Sequence, residues 1–196
     1  MIQILLAAVC LGGGYPTNLD LVEAAVEEAC SSLAETIAQQ GIDTFTIEIE
    51  GEHPANWLVE QTIEAVLTGR GLTVTAGREG TSNSILSIRP MDLAVRYGNT
   101  SRSWIFGKKR VERIAICELS STLVDSEGTI IVSIRSGAED SDLVPVSELD
   151  VLEGAEDWNW LSEGEISGDG GGILEPLVVT GVVASLIYLF YSSRAE

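Results

Sequence analysis

The stretch "RYGNTSRSWIFGKKRVER" (96–113) holds six of the chain's eleven bases: Arg96, Arg102, Lys108, Lys109, Arg110 and Arg113. Trp104 and Phe106 are interleaved with them. Cations around exposed rings suit an anionic headgroup, an acidic glycan or an acidic protein surface. Arg102, Trp104, Phe106, Lys108, Lys109 and Arg110 are therefore the partner-binding candidates, with Trp and Arg being residue types enriched at binding hot spots. The competing reading has both rings capping a core while the bases stay solvated. A third possibility is internal, with this segment folding against the chain's own acids.

Other chemistry is thinly provided. Glu48 and Glu50 lie on one face of an alternating strand and Glu52 follows; they read either as a solvated face or as acid/base carboxylates. A hydrolase built on them needs a cleft bringing Asp43, Glu48 or Glu52 toward Asp92 or Glu118, with one group in an apolar setting. The calcium-loop spacing is absent. The one histidine, His53 in "GEHPAN", removes His-based metal clusters and most catalytic triads. Ser31, Ser32 and Ser120–Thr122 lack a base to activate them. Cys10, Cys30 and Cys117 form no C-x-x-C pair, which excludes a zinc ribbon or thioredoxin motif. Cys30 and Cys117 read as two buried thiols, or as a disulfide in an oxidising compartment. "GDGGG" (168–172) has a phosphate loop's glycines without its Lys, and is a hinge. The sequence implies neither a cofactor nor a metal, and favours a non-enzymatic role.

The elements that must hold these groups follow from periodicity. "NLDLVEAAVEEACSSLAETIAQQ" (18–40) spaces Leu21, Val22, Ala25, Val26, Leu33 and Ile37 for one helix face, capped by Thr17 or Asn18. "TFTIEIE" (44–50) alternates as a half-buried strand. "NWLVEQTIEAVLTGRG" (56–71) predicts a second helix, capped by Asn56, with Trp57, Val59, Ile63, Val66 and Leu67 inward. "LTVTA" (72–76) is a strand. "SILSIRPMDLAVRY" (84–97) follows, alternating through Met91, Leu93, Val95 and Tyr97 with a bulge or edge at Pro90. "VERIAICELSSTLVD" (111–125) and "GTIIVSIRS" (128–136) flank a "DSEG" turn as a hairpin. The expected fold class is α+β, with two helices packed on one face of a mixed, largely antiparallel sheet.

Charge divides the chain. Of the net −19, residues 1–69 carry 11 acids and no base, residues 70–136 carry ten of the eleven bases, and residues 137–196 carry 13 acids and one base. So acidic a surface argues against nucleic acid as a partner. The expected organisation is a globular domain over 17–136 and an acidic, Gly-rich tether over 137–172, within which "DLVPVSELDVL" can dock as a short helix. Trp158 and Trp160 in "AEDWNWLSEGE" belong at a membrane interface or on a partner.

Residues 173–191 carry a single charge, Glu175, near their start. At about 1.5 Å per residue they extend to roughly 28 Å, the hydrocarbon thickness of a bilayer. Tyr188, Phe190 and Tyr191 sit where rings favour headgroups, and Pro176 is in the first turn. This predicts a transmembrane helix that anchors the chain. Arg194 beyond it, against twelve acids between Glu139 and Glu175, places the tail 192–196 in the cytoplasm and the domain outside it. The expected location is a single-pass membrane protein with a periplasmic domain. Residues 1–14, "MIQILLAAVCLGGG", supply an apolar segment of signal-peptide length that lacks a leading base. "AAVC" is similar to a lipoprotein box, with Val9 in place of a small residue before Cys10. The alternatives are cleavage, a few missing upstream residues, lipidation, or a buried strand in a cytoplasmic tail-anchored sensor.

"NWLVEQTIEAVLTGRGLTV" with "ICELSSTLVDSEGTIIVS" resembles the bacterial envelope superfamily of the curli-secretion lipoprotein, the penicillin-binding-protein activator lipoprotein and the flagellar outer-membrane assembly protein. Leu119, Leu123, Asp125, Gly128 and Ile131 fall at its amphipathic strand, Asp-x-x-Gly turn and following strand, and the resemblance covers about residues 56–136. It implies a non-catalytic envelope module that binds or scaffolds other proteins. The chain departs from that pattern in its C-terminal span and in lacking the curli protein's pore-forming insertions, so channel function is not implied.

Overall fold

Thr17 opens the first helix, α1 (Asn18–Ala38), with a reciprocal capping box: its side chain accepts from the Asp20 amide while the Asp20 carboxylate accepts from the Thr17 amide. The computed structural model describes residues 14–75, 84–102, 108–154 and 160–163. After α1 come β1 (Thr44–Ile49), α2 (Asn56–Gly69), β2 (Thr73–Thr75), β3 (Ser84–Arg102), β4 (Lys109–Val124) and β5 (Ile130–Pro145). A 3₁₀ turn (Val146–Glu148), α3 (Leu149–Leu152) and β6 (Ser162–Glu163) complete the described chain.

The sheet runs β2-β1-β3-β4-β5. β1 is parallel to both β2 and β3, while β3-β4 and β4-β5 are antiparallel. β1 covers only the first part of β3, to Ile88; farther along, Val95 and Arg96 of β3 pair in parallel with Ser162 and Glu163 of β6. α1 and α2 pack against each other, α1 over β3 to β5 and α2 over β1 and β2. The expected α+β architecture is present, with a third short helix added.

Alternation explains the core. Val111, Arg113, Ala115, Cys117, Leu119, Ser121 and Leu123 of β4 point toward the helices and are buried, while their neighbours are more exposed. Opposite them stand Leu33, Ile37, Ile63, Leu67 and Ala25, Ala29 and Ala34, the alanines letting α1 lie close on the sheet. Burying this apolar surface at about 25 cal/mol per Å² is the main favourable contribution to folding. Cys30 and Cys117 are buried in the same core as free thiols.

Four expectations need correction. The domain does not end at 136, nor does a tether start at 137: β5 continues to Pro145, and α3 and β6 dock beyond it. The strand alternation runs on through Ser136, Ala138, Asp140, Asp142 and Val144, so its acids hid it. In α2 it is Leu58 that is buried, whereas Trp57 is 38% exposed. Asn56 does not cap that helix; Ala55 is the N-cap, and the Asn56 amide donates to the Gly51 carbonyl at 2.8 Å. Met91 is 51% exposed because the irregularity between Pro90 and Asp92 reverses the strand's parity there. "DLVPVSELDVL" does dock, as the 3₁₀ turn and α3 around Leu149 and Leu152 in a second small core with Val111 and Val144.

Among the described residues no helix is long and apolar enough to cross a membrane. Residues 1–13 and 164–196, which include the expected signal and span, lie outside the described residues.

Candidate functional site

The β3-β4 hairpin carries the cationic segment to its tip. The ladder ends with Thr100 opposite Val111, Ser101 opposite Arg110, and Arg102 opposite Lys109. Two cations directly opposite each other oppose strand pairing by a few tenths to about 1 kcal/mol. Lys108 and Arg110 are exposed and Lys109 is half-buried. None of these three lysine and arginine side chains has an ion pair among the described residues. Trp104 and Phe106 lie outside the described residues, as does the Arg102 side chain.

The sixth base departs from the expected pattern. Arg113 belongs to the cationic run in sequence, yet it faces the core side of β4 and is fully buried. Its Nε and Nη2 donate to Asp142 at 2.9 and 2.6 Å. Nη1 donates to Asn18 Oδ1 at 2.8 Å and Nη2 also to the Pro16 carbonyl at 2.7 Å. Asn18, itself buried at the start of α1, donates to the Tyr97 hydroxyl at 2.9 Å and to Ser162 Oγ at 3.1 Å. The Tyr97 hydroxyl in turn donates to Glu153 at 2.7 Å. Burial raises the Tyr97 pKa, helped by the negative charge of Glu153. This chain of contacts joins α1, β3, β4, β5, β6 and the turn after α3 at the sheet end toward which the hairpin tip projects. The internal pairing of the basic segment with the acidic stretch is thus realised through Arg113 and Asp142, and among the described residues Lys108, Lys109 and Arg110 take no part in it.

Sequence reading missed Arg113 because it counted the residue with its neighbours. The available signal was parity: Val111, Arg113, Ala115, Cys117 and Leu119 share one face, so an arginine among them had to find partners inside.

The carboxylates of the hydrolase reading do not converge. Asp92 and Glu118 are cross-strand neighbours, but Arg96 binds Asp92 at 2.8 Å. Glu48 is opposite Ser87, which is opposite Thr122, four residues along β4 from Glu118 and so roughly 13 Å away. Asp43, Glu50 and Glu52 are exposed, with Glu50 paired to Arg89 at 3.1 Å. No group of three metal-ligating side chains occurs among the described residues. Trp160 stacks edge-on against His53 at 5.5 Å between ring centres and packs, partly buried, on the core; Trp158 lies outside the described residues. A shallow groove of about 340 Å³ between α1 and α2 is lined by Glu23, Glu27, Trp57 and Gln61. Burial and then the nearby Asp20 raise the Glu23 pKa.

No family model matches the chain, and no curated protein matches it. Among solved structures it is similar to a minor lipoprotein from Acinetobacter baumannii, at 14% identity and TM-score 0.37, over 57% of this chain and 77% of that one. It is similar to a neuraminyllactose-binding hemagglutinin homolog from Helicobacter pylori at 15% identity and TM-score 0.32, over 52% and 64% of the two chains. A lipoprotein B from Nitrosomonas europaea is similar at 13% identity and TM-score 0.36, over 61% and 74%.

Proposed function

We propose that the chain is a membrane-anchored, extracytoplasmic binding or assembly accessory of the bacterial envelope, and that its hairpin tip contacts an anionic surface. One observation carries this reading. β6 runs parallel to β3, so the chain leaves Glu163 heading for the tip that bears Lys108, Lys109 and Arg110. Nine residues separate Glu163 from the apolar run at 173, at most about 30 Å of extended chain. The net charge of −19 does not prevent a local contact, because at physiological salt charges act over only about 8 Å. A tether of that length lets Lys108, Lys109 and Arg110 reach headgroups.

Two measurements test this. Full-length protein reconstituted into vesicles with and without phosphatidylglycerol is exposed to trypsin, and cleavage at 108–110 is timed. Headgroup attraction of about 1 kcal/mol per cation predicts slowing on the order of tenfold or more in the anionic vesicles, reversed by high salt. Equal rates in both vesicles refute the headgroup contact. For orientation, the native thiols of Cys30 and Cys117 are unsuitable reporters, since both are buried and pushed up to about 12. An exposed reporter, Ser147→Cys, is expected to react with an impermeant maleimide in intact spheroplasts; reaction only after lysis places the domain in the cytoplasm.

A further inference from the structure

The described sheet has two ends to its strand order, and they are unlike. β2 is three residues long, too short to recruit another chain, whereas β5 is sixteen residues long and, among the described residues, has a partner only on its β4 side. A long strand edge presents a row of backbone donors and acceptors ready for pairing. Edges that resist pairing carry like charges or prolines; in β5 the only proline is Pro145, at the end.

The outward face of β5 has a self-complementary pattern. Ile131, Ser133, Arg135, Gly137, Glu139, Ser141 and Leu143 are all exposed, alternating with residues that point toward the helices. We propose that β5 pairs antiparallel with β5 of a second copy, with the two-fold axis at Gly137. In that register Arg135 faces Glu139 of the other copy, Ser133 faces Ser141, and Ile131 faces Leu143. Each match occurs twice by symmetry. The two apolar residues that meet are exposed in the single chain, Ile131 by 37% and Leu143 by 50%. Arg135 and Glu139 have no ion pair among the described residues. At the axis stands Gly137, exposed and without a side chain to collide with its twin; a Cβ there would also lie 3.1 Å from the Cys117 carbonyl oxygen.

Moving the axis by two residues, a register shift of four, destroys the charge match. With the axis at Arg135 that residue meets its own copy, and with the axis at Glu139 the two glutamates meet. The Ser141 amide is bonded to Asp140 at 2.8 Å, a contact inside one chain with which the new strand competes only near that end. Because β2 is the sheet's other terminus, edge pairing closes at two copies.

The test uses full-length protein in detergent, in a Cys10→Ser background. Ser133→Cys and Ser141→Cys variants are prepared separately and mixed under mild oxidation. A disulfide-linked dimer is expected in the mixture and not in either variant alone, since each new cysteine faces position 141 or 133 of the other copy. Charge reversal gives a second reading by analytical ultracentrifugation. Arg135→Glu or Glu139→Arg alone is expected to weaken dimerisation at least about tenfold, because two attractive pairs become repulsive. The double reversal is expected to restore it to within about threefold. A monomeric wild type at tens of micromolar overturns the proposal. So does a dimer indifferent to the single reversals, which would trace association to another part of the chain.

Discussion

Replacing Arg113 by Met lowers the free energy of unfolding by about 3–5 kcal/mol, measured by urea denaturation at neutral pH. The cause is not the missing charge itself but what remains. Asp142 loses both hydrogen bonds of a bidentate pair, Asn18 loses the donor to its Oδ1, and the Pro16 carbonyl is left without a partner. An Arg113→Lys variant is expected to recover little, because an ammonium cannot reproduce the planar fork that reaches three acceptors from one position. The double variant Arg113→Met with Asp142→Leu is expected to be more stable than Arg113→Met alone, since both ends of the pair then become apolar together. Hydrogen exchange should show the loss concentrated in residues 142–153 and 160–163, which the contacts of Arg113, Asn18 and Tyr97 hold down. A cost below 1 kcal/mol, or a loss spread evenly over α2 and β1, would contradict this account of the network.

The second large effect is alkaline. Both Cys30 and Cys117 are pushed up to about 12, Cys30 by desolvation and Cys117 by desolvation first and then by the nearby Cys30, Asp92 and Glu118. An unfolded thiol titrates near 8.5. Below that pH both states are protonated and the thiols leave stability unchanged. Above it the unfolded chain loses protons that the folded chain keeps, so stability falls as pH rises toward the folded value. Two such thiols reduce it by on the order of 4 kcal/mol between pH 8.5 and 10.5. Tyr97, whose pKa is also raised, acts in the same direction at the upper end. The Cys30→Ala, Cys117→Ala variant should have a distinctly flatter profile over this range, though cavities lower its stability at neutral pH. Parallel profiles for the two proteins would show that the thiols are not buried as neutral groups.

Much of the fold was legible where burial alone dictated residue type. The three- and four-residue spacing of α1, the presence of β1 and the Asp125–Gly128 turn could all be read, although Thr46, expected to face outward, is buried beside Phe45. The reading failed where polar groups occupy inward positions. Asp140 and Asp142 continue the alternation of β5, but acids on a core face look like a solvated linker until Arg113 is placed opposite. Arg113 itself was hidden by belonging to a basic cluster. β6 is two residues long, too short for any periodicity, and exists because Asn18 and the far half of β3 offer it partners. The hairpin tip was legible as a cationic feature, since Lys108, Lys109 and Arg110 are adjacent in sequence. What sequence could not supply was its direction, which comes from β6 running parallel to β3.

The hydrogen bond from Asn18 to Ser162 brings the first turn of α1 and the last described strand side by side. Tension applied between those two points would therefore bypass the long β3-β4 and β4-β5 ladders. It would fall on the two-residue β6 pairing and the side-chain contacts around Arg113, which stand first in the load path. Under such a pull the tail should peel away while the helices and the five-stranded body keep their shape, making the domain a weak link at its seam and a rigid block elsewhere.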